Sequence, residues 1–85
     1  MPYIRQERRA EVSPNAYGVP GALSCGELNY QITELLNLYK DVNTLKYQTI
    51  NDILGALEGA KLEFVRRVVN PYENAKMAEN GDVYS

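Results

Sequence analysis

Five arginines form two clusters that could bind phosphate groups. Arg5, Arg8 and Arg9 lie near the N-terminus, and Arg66 and Arg67 are adjacent in the second half of the chain. A planar guanidinium group can donate two hydrogen bonds at once to phosphate oxygens. The alternative is that these side chains are solvated or pair with neighbouring glutamates, since Glu63 and Arg67 have the i,i+4 spacing of a helical ion pair. The glutamates near the two clusters are Glu7, Glu11, Glu58 and Glu63.

Tyrosine is the prevalent aromatic residue, with seven tyrosines against one phenylalanine and no tryptophan. A tyrosine combines a stacking face with a hydroxyl group. Tyr3, Tyr72 and Tyr84 lie in or near the terminal segments, and Asn80 and Asp82 belong to an Asn-Gly-Asp turn close to Tyr84. These residues could stack on a base and bind a sugar. Alternatively, they only hold the termini in place and cap backbone groups.

A lysine interrupts the longest apolar stripe of the sequence. At 100° per residue, Lys61 falls on the same helical face as Leu57, Phe64 and Val68. Its methylene stem can pack there while the ammonium group reaches water or a glutamate. Otherwise the ammonium group lies in a pocket that supplies an anion, because a buried and unpaired charge is strongly unfavourable. Lys61 is therefore a candidate ligand-binding residue.

The residue types of common catalytic sites are absent. The chain has no histidine and one cysteine, Cys25, which excludes a histidine-based triad, a cysteine–histidine zinc site and a disulfide framework within one chain. No carboxylate pair is marked by spacing as general acid and base, and no phosphate loop or calcium loop is present. We expect a protein that is not an enzyme and uses no cofactor or metal. The predicted ligand-binding residues are Tyr3, Arg5, Arg8, Arg9, Lys61, Arg66, Arg67, Tyr72, Asn80, Asp82 and Tyr84.

Charge and hydropathy restrict the partners. With 9 basic and 11 acidic side chains the net charge is -2, which gives no overall attraction to nucleic acid or to an anionic membrane. No run of 18 apolar residues occurs, and the N-terminus carries charge where a signal peptide has its apolar stretch. We expect a cytoplasmic protein that forms one small helical domain over residues 1–85.

Three segments have the patterns of helices. Residues 4–12 form a short N-terminal helix without a clean apolar stripe, and the segment "SPNAYGVPGAL" after it is a loop. Ser24 and Glu27 have the spacing of a capping box that begins a second helix, which we expect to end near Asp41. A long central helix runs from about Lys46 to Asn70. These features predict an all-α fold.

The two longer helices each carry an apolar stripe. The short polar loop "DVNT" between them favours an antiparallel helical hairpin in which each stripe is buried against the other. The stripe of the second helix consists of Leu28, Ile32, Leu35, Leu36 and Tyr39. The stripe of the long helix consists of Ile50, Ile53, Leu54, Leu57, Phe64 and Val68.

Pro71 is expected to kink or stop the long helix. It has no N–H to donate to the carbonyl of Arg67, and its ring collides with that carbonyl. A short C-terminal helix should follow, closed by Asn80 and Gly81 in a left-handed cap. A bend at Pro71 would return the C-terminal segment toward the N-terminal arginines and assemble half of a binding site there.

A second face of the long helix carries small residues. Gly55, Gly59, Leu62 and Arg66 recur at helical spacing. A glycine inside a helix is unfavourable by about 1 kcal/mol relative to alanine, so a close approach by another backbone is expected. That approach is made either by the N-terminal helix or by a second subunit. We favour the subunit interface, formed by Gly55, Gly59 and Leu62, and hence a homo-oligomeric bundle.

Three stretches together resemble a family of small uncharacterised proteins from bacteriophages and bacteria, a domain of unknown function. They are "MPYIRQERR", "GELNYQIT" and "LGALEGAKLEFVRRVVNPYENAKMAENGDVY". The resemblance covers nearly the whole chain except the Pro/Gly loop and "KDVNTLKYQT". The resemblance implies an origin in bacteriophages or bacteria but no mechanism. The matching residues are mostly polar, which is typical of a functional surface. The matching residues are Pro2, Tyr3, Ile4, Arg8, Arg9, Asn29, Tyr30, Lys61, Glu63, Arg66, Arg67, Pro71, Tyr72, Glu73, Lys76, Asn80, Gly81, Asp82 and Tyr84.

Two hypotheses for function follow from these features. The first is a homo-oligomeric phage accessory protein that binds and sequesters a small anionic, nucleotide-derived ligand, as an anti-defence sponge in the host cytoplasm would. The arginines, the tyrosines, the absent catalytic groups and the phage-like resemblance motivate it. The second is an interaction module that binds a host or phage protein through a helical face, with tyrosines as anchors.

Overall fold

Helices account for all the regular secondary structure of the described chain. A computed structural model describes residues 2–14 and 18–84. Helix α1 spans Gln6–Val12, α2 Cys25–Asn43, α3 Tyr47–Phe64 and α4 Asn70–Asn80, and a π-helical turn at Val65–Val69 joins α3 to α4. The predicted all-α class is confirmed. Asn15, Ala16 and Tyr17 of the predicted loop lie outside the described residues.

Two compact units divide the chain. One comprises Tyr3–Leu54, with α1, α2 and the first part of α3, and the other comprises Pro2 with residues 55–84. The boundary falls within α3, between Leu54 and Gly55. The single domain over residues 1–85 and the oligomeric bundle stay predictions.

The capping signal at the start of α2 is confirmed, with a shift of one residue in one hydrogen bond. The backbone N–H of Glu27 donates to Oγ of Ser24 at 3.1 Å, as the spacing predicts. The carboxylate of Glu27 accepts from the N–H of Leu23 at 3.0 Å, and not from Ser24. The backbone N–H groups of Leu23 and Glu27 both have hydrogen-bond acceptors as a result. These two bonds fix the direction in which the loop enters α2.

Polar contacts join the end of α2 to the beginning of α3. The hydroxyl of Tyr39 donates to Oδ2 of Asp52 at 2.8 Å, and Gln48 Nε2 donates to Oδ1 of the same carboxylate at 2.6 Å. Thr49 is only 1% exposed, and its hydroxyl donates to the carbonyl oxygen of Thr44 at 2.6 Å. Thr44 itself has φ of 60°, a positive value that a β-branched residue seldom adopts. This connection is therefore closed by specific hydrogen bonds.

The predicted mutual burial of the two apolar stripes is not found. None of the described hydrophobic side chains is fully buried, and Leu28, Leu35 and Leu54 are 51%, 56% and 60% exposed. The physical reason is which side of α3 faces α2. At 100° per residue, Thr49 and Asp52 point roughly opposite to Leu54, so the contact with α2 uses the polar side of α3. The antiparallel hairpin stays a prediction, and most residues of the two apolar stripes are exposed, with Leu36 and Ile53 at intermediate exposure.

The Tyr39–Asp52 contact predicts a pH dependence of stability. The hydrogen bond that the hydroxyl donates to Asp52 raises the pKa of Tyr39 above its usual 10.0, with desolvation and the charge of Asp52 adding to the effect. Since the folded-state pKa is raised, the contact stabilises the fold below pH 10, and that contribution is lost as the pH rises through the raised pKa. We expect Tyr39→Phe to remove this part of the alkaline destabilisation, measured by urea unfolding from neutral to alkaline pH. Tyr30→Phe is the control, since Tyr30 is 64% exposed; identical pH profiles for the two variants would refute the role of Tyr39.

A π-helical turn allows the helix to continue through Pro71. The N–H of Asn70 donates to the carbonyl of Val65, five residues earlier, and Val69 and Asn70 keep helical φ and ψ. Pro71 cannot supply the N–H that a regular α-helix would offer to Arg67, and a π turn re-forms the pattern with one residue more per turn. The helix therefore does not stop at Pro71, whereas the kink, which the sequence left as the other alternative, stays a prediction.

The short C-terminal helix is confirmed, and Gly81 ends it with a positive φ, although its ψ of 148° lies outside the predicted left-handed helical conformation. Helix α4 ends at Asn80, and Gly81 has φ of 91°, which glycine adopts without a steric penalty. The N–H of Gly81 donates to the carbonyl of Met77 at 2.8 Å. The chain then turns over the last part of α4 and positions the terminal polar residues.

Candidate functional site

An apolar groove lies along α2, within the unit Tyr3–Leu54. It encloses about 420 Å³ between one side of α2 and the loop that precedes the helix. The lining residues, which we call the α2 groove, are Pro14, Val19, Gln31, Glu34, Leu35 and Leu38. The four α2 positions are spaced at three, four and seven residues, which places them along one side of the helix.

One hydrogen bond holds the loop against α2, and a second lies within the loop. Gln31 Nε2 donates to the carbonyl oxygen of Pro20 at 2.8 Å, and the N–H of Val19 donates to the carbonyl of Pro14 at 3.2 Å. The first bond links residues eleven apart in sequence, so it fixes the loop relative to the helix. The groove thus has a defined wall.

The α2 groove has an apolar floor and an acidic rim. A second depression, of about 620 Å³, continues it past Val19, Gln31 and Glu34 to Glu27 and Tyr30. Glu34 is exposed, and within the described residues it has no ion pair. An exposed carboxylate beside leucine side chains favours a ligand that has both apolar and basic groups.

A second groove lies between α4 and the chain that follows it. It encloses about 390 Å³ and brings together three of the predicted site residues, Asn80, Asp82 and Tyr84. Asp82 Oδ1 accepts the N–H of Tyr84 at 2.9 Å, the backbone contact that the turn-capping alternative expects, and a role of Asp82 in ligand binding stays a prediction. The other lining residues are Glu73, Asn74, Lys76, Met77, Gly81 and Val83.

This C-terminal groove is poorly suited to phosphate. Glu73 and Asp82 contribute two carboxylates, whereas Lys76 is its one cation. The ammonium group of Lys76 lies 3.6 Å from Glu79 and 5.7 Å from the centre of the Tyr72 ring. An anion entering the groove would therefore meet a net negative charge.

Two of the five predicted arginine ligands, Arg8 and Arg66, form ion pairs with glutamates. Arg8 pairs with Glu11, which confirms the ion-pair alternative for this residue. Arg66 donates through Nη2 and Nε to Oε1 of Glu63 at 2.6 and 3.0 Å, so Glu63 pairs three residues on with Arg66 and not with Arg67. The predicted i,i+4 pair assumed a regular α-helix, whereas Arg66 and Arg67 lie in the π-helical turn at Val65–Val69.

Lys61 lies on an exposed surface. Its side chain is 69% exposed, and its ammonium group is 3.8 Å from Oε1 of Glu58. Of the predicted interface residues, Leu62 is 58% exposed, and a Cβ added at Gly55 would meet nothing within 4 Å. Within the described residues, nothing therefore packs closely on Gly55. An interface formed by Gly55, Gly59 and Leu62 stays a prediction.

The predicted ligand-binding residues divide between the two units. Four of them, Tyr3, Arg5, Arg8 and Arg9, belong to Tyr3–Leu54. The other seven belong to residues 55–84, and three of these, Asn80, Asp82 and Tyr84, share the C-terminal groove. Sequence reasoning missed the α2 groove, although Leu35, Leu38 and Glu34 on one helix, beside a Pro/Gly-rich loop, are a signal that could have found it.

Neither a metal site nor a membrane span is found in the part of the chain that the structure describes. The described carboxylates and Cys25 form no group of three that could hold a metal ion. No described helix has the length and hydropathy needed to cross a bilayer.

Comparisons with known proteins place the chain in a family. Neither the curated proteins nor the solved structures include a significant match to the chain. Residues 1–83 match the family described as Domain of unknown function (DUF6899). Since the match covers nearly the whole sequence, the chain belongs to the DUF6899 family.

Proposed function

We propose that the protein is an interaction module that binds an amphipathic helix of a partner protein in the α2 groove. The observation that carries the proposal is the groove itself. Its leucine side chains lie exposed beside the carboxylate of Glu34, which has no ion pair within the described residues. Leu35 and Leu38 are 56% and 60% exposed, and Val19 is 44% exposed. Apolar surface of this kind contributes about 25 cal/mol per Å² when a partner covers it.

The dimensions and chemistry of the groove indicate the kind of partner. An amphipathic helix binds an apolar groove through side chains spaced at i, i+3 or i+4, and i+7. The rim carboxylates of Glu34 and Glu27 favour lysine or arginine beside those apolar residues. Tyr30, which is 64% exposed at the same rim, can cover the methylene stem of such a cation. We therefore propose a basic amphipathic segment of a host or phage protein.

Binding of a designed peptide tests this function. The probe is a fluorescent helical peptide with leucines at i, i+4 and i+7 and lysines flanking them, compared with a version that carries glutamates in place of the lysines. We expect the basic peptide to bind at least 10-fold more tightly, measured by fluorescence anisotropy at low salt. Glu34→Lys should reverse that preference, and Leu38→Asp should weaken both peptides because it introduces a charge on the apolar floor.

The matched control for Leu38→Asp is Leu45→Asp. Leu45 is 69% exposed in the connection between α2 and α3, outside the groove, so its substitution should leave peptide binding unchanged. Equal binding of the basic and acidic peptides, or equal loss with both leucine variants, would contradict a specific groove. A photoreactive amino acid at position 38 then captures the cellular partner covalently, with position 45 as the reference.

Sequestration of a small anionic ligand is the competing proposal, and the resemblance to phage proteins supports it. Such a protein would act as an anti-defence sponge in the host cytoplasm. Its support from geometry is weaker, because Arg8 and Arg66 already have carboxylate partners and the C-terminal groove carries Glu73 and Asp82. A nucleotide that binds the folded chain should raise its melting temperature by mass action.

A further inference from the structure

We infer that a second copy of this chain binds the exposed apolar side of α3 in the antiparallel orientation, with a two-fold axis that crosses the contact at the level of Gly59 along the helix. The surface concerned, which we call the α3 stripe, lies along α3 and the π-helical turn and does not involve the α2 groove. It consists of Ile50, Leu54, Leu57, Lys61, Phe64 and Val68.

The α3 stripe is exposed along its length. Leu57, Phe64 and Val68 are 38%, 58% and 50% exposed, and Ile50 and Leu54, which precede them, are 41% and 60% exposed. A row of five large apolar side chains on one helix is seldom left to solvent in a soluble protein. This row is long enough for the seam of a two-helix contact.

The spacing of the stripe is symmetric about Gly59. Ile50 and Val68 lie nine residues from it on either side, Leu54 and Phe64 five, and Leu57 and Lys61 two. Suppose two antiparallel helices are related by a two-fold axis at the level of Gly59. Each of these residues in one copy then lies opposite its sequence-symmetric counterpart in the second copy. A two-fold axis requires such a self-complementary surface. Leu54 then packs on Phe64, and Ile50 packs on Val68.

The charges of the stripe are self-complementary in the same register. Lys61 and Glu58 are 3.8 Å apart within the chain, a loose pair on an exposed surface. In the antiparallel dimer, Lys61 packs its stem against Leu57 of the second copy and directs its ammonium group to Glu58 of that copy. Equivalent flanks of the two helices meet in an antiparallel pair, so both copies make this contact. The register accounts for a lysine inside an apolar stripe.

Mixing of two charge-reversal variants tests the register. Glu58→Lys leaves only positive charge at the centre of its own dimer, and Lys61→Glu leaves only negative charge. We expect each variant alone to dimerise at least 10-fold more weakly than the natural chain, measured by sedimentation equilibrium. An equimolar mixture should recover the natural affinity as a heterodimer, because the two charge sets are then complementary. A pair that acts only within one chain cannot produce this recovery.

Lys76 and Glu79 supply the matched control. They form a similar i,i+3 pair at 3.6 Å on α4, outside the α3 stripe, so their charge reversals should change neither self-association nor the behaviour of the mixture. The inference is overturned if the natural chain sediments as a monomer at all concentrations, or if mixing the Glu58 and Lys61 variants restores nothing. Peptide binding in the α2 groove, measured on the same variants, reports separately on the proposed function.

Discussion

Phe64→Ala is expected to weaken self-association roughly 1,000-fold. In the antiparallel register each Phe64 is covered by Leu54 of the second copy, and a dimer contains two such contacts. Burial of a phenylalanine side chain contributes about 2 kcal/mol, so the two contacts give about 4 kcal/mol, or roughly a factor of 1,000 in the dissociation constant. Sedimentation equilibrium over a concentration series measures the change, and circular dichroism checks that the helices persist.

Leu62→Ala is the control that separates the two candidate faces of α3. Leu62 and Phe64 are both 58% exposed, yet they lie on different sides of the helix. The account expects Leu62→Ala to leave the dissociation constant within a factor of about 3. A loss of self-association with Leu62→Ala, and none with Phe64→Ala, would instead assign the interface to the face of Gly55, Gly59 and Leu62.

Pro71→Ala is expected to stabilise the chain by about 1–3 kcal/mol, a large effect for a single exposed residue. Alanine restores the N–H that Pro71 lacks, so the carbonyl of Arg67 regains an α-helical donor and the π-helical turn at Val65–Val69 can revert to a regular helix. Urea unfolding followed by circular dichroism measures the change in the free energy of unfolding.

The control for Pro71→Ala is Pro20→Ala in the loop before α2. A loop proline stabilises by restricting the unfolded chain, so its removal should lower the free energy of unfolding slightly. If Pro71→Ala destabilised the chain by as much as Pro20→Ala does, the π-helical turn would have a cause other than the proline.

Local signals of the sequence predicted the helices well because the relevant interactions span only a few residues. Ser24 and Glu27 form their capping contacts within one turn of α2, and Gly81 closes α4 by a positive φ that its residue type permits. Such interactions are encoded by neighbours in sequence and need no knowledge of tertiary packing.

Features that depend on tertiary contacts, or on a choice between two backbone conformations of similar free energy, were not predictable in the same way. Pro71 signals an interruption, but whether the helix stops or widens depends on the free energies of two backbone arrangements. The Tyr39–Asp52 and Thr49–Thr44 hydrogen bonds turn the polar side of α3 toward α2, and no hydropathy pattern contains that information.

The central claim is that the apolar helix surfaces left exposed by the chain are contact surfaces for protein. Native mass spectrometry of the protein purified directly from cells, followed by analysis of small molecules released on denaturation, tests it most directly. The account predicts a dimer of twice the chain mass of 9.6 kDa without a small-molecule adduct. A single-chain mass at micromolar concentration would contradict self-association, and a released nucleotide would contradict the interaction module in favour of ligand sequestration.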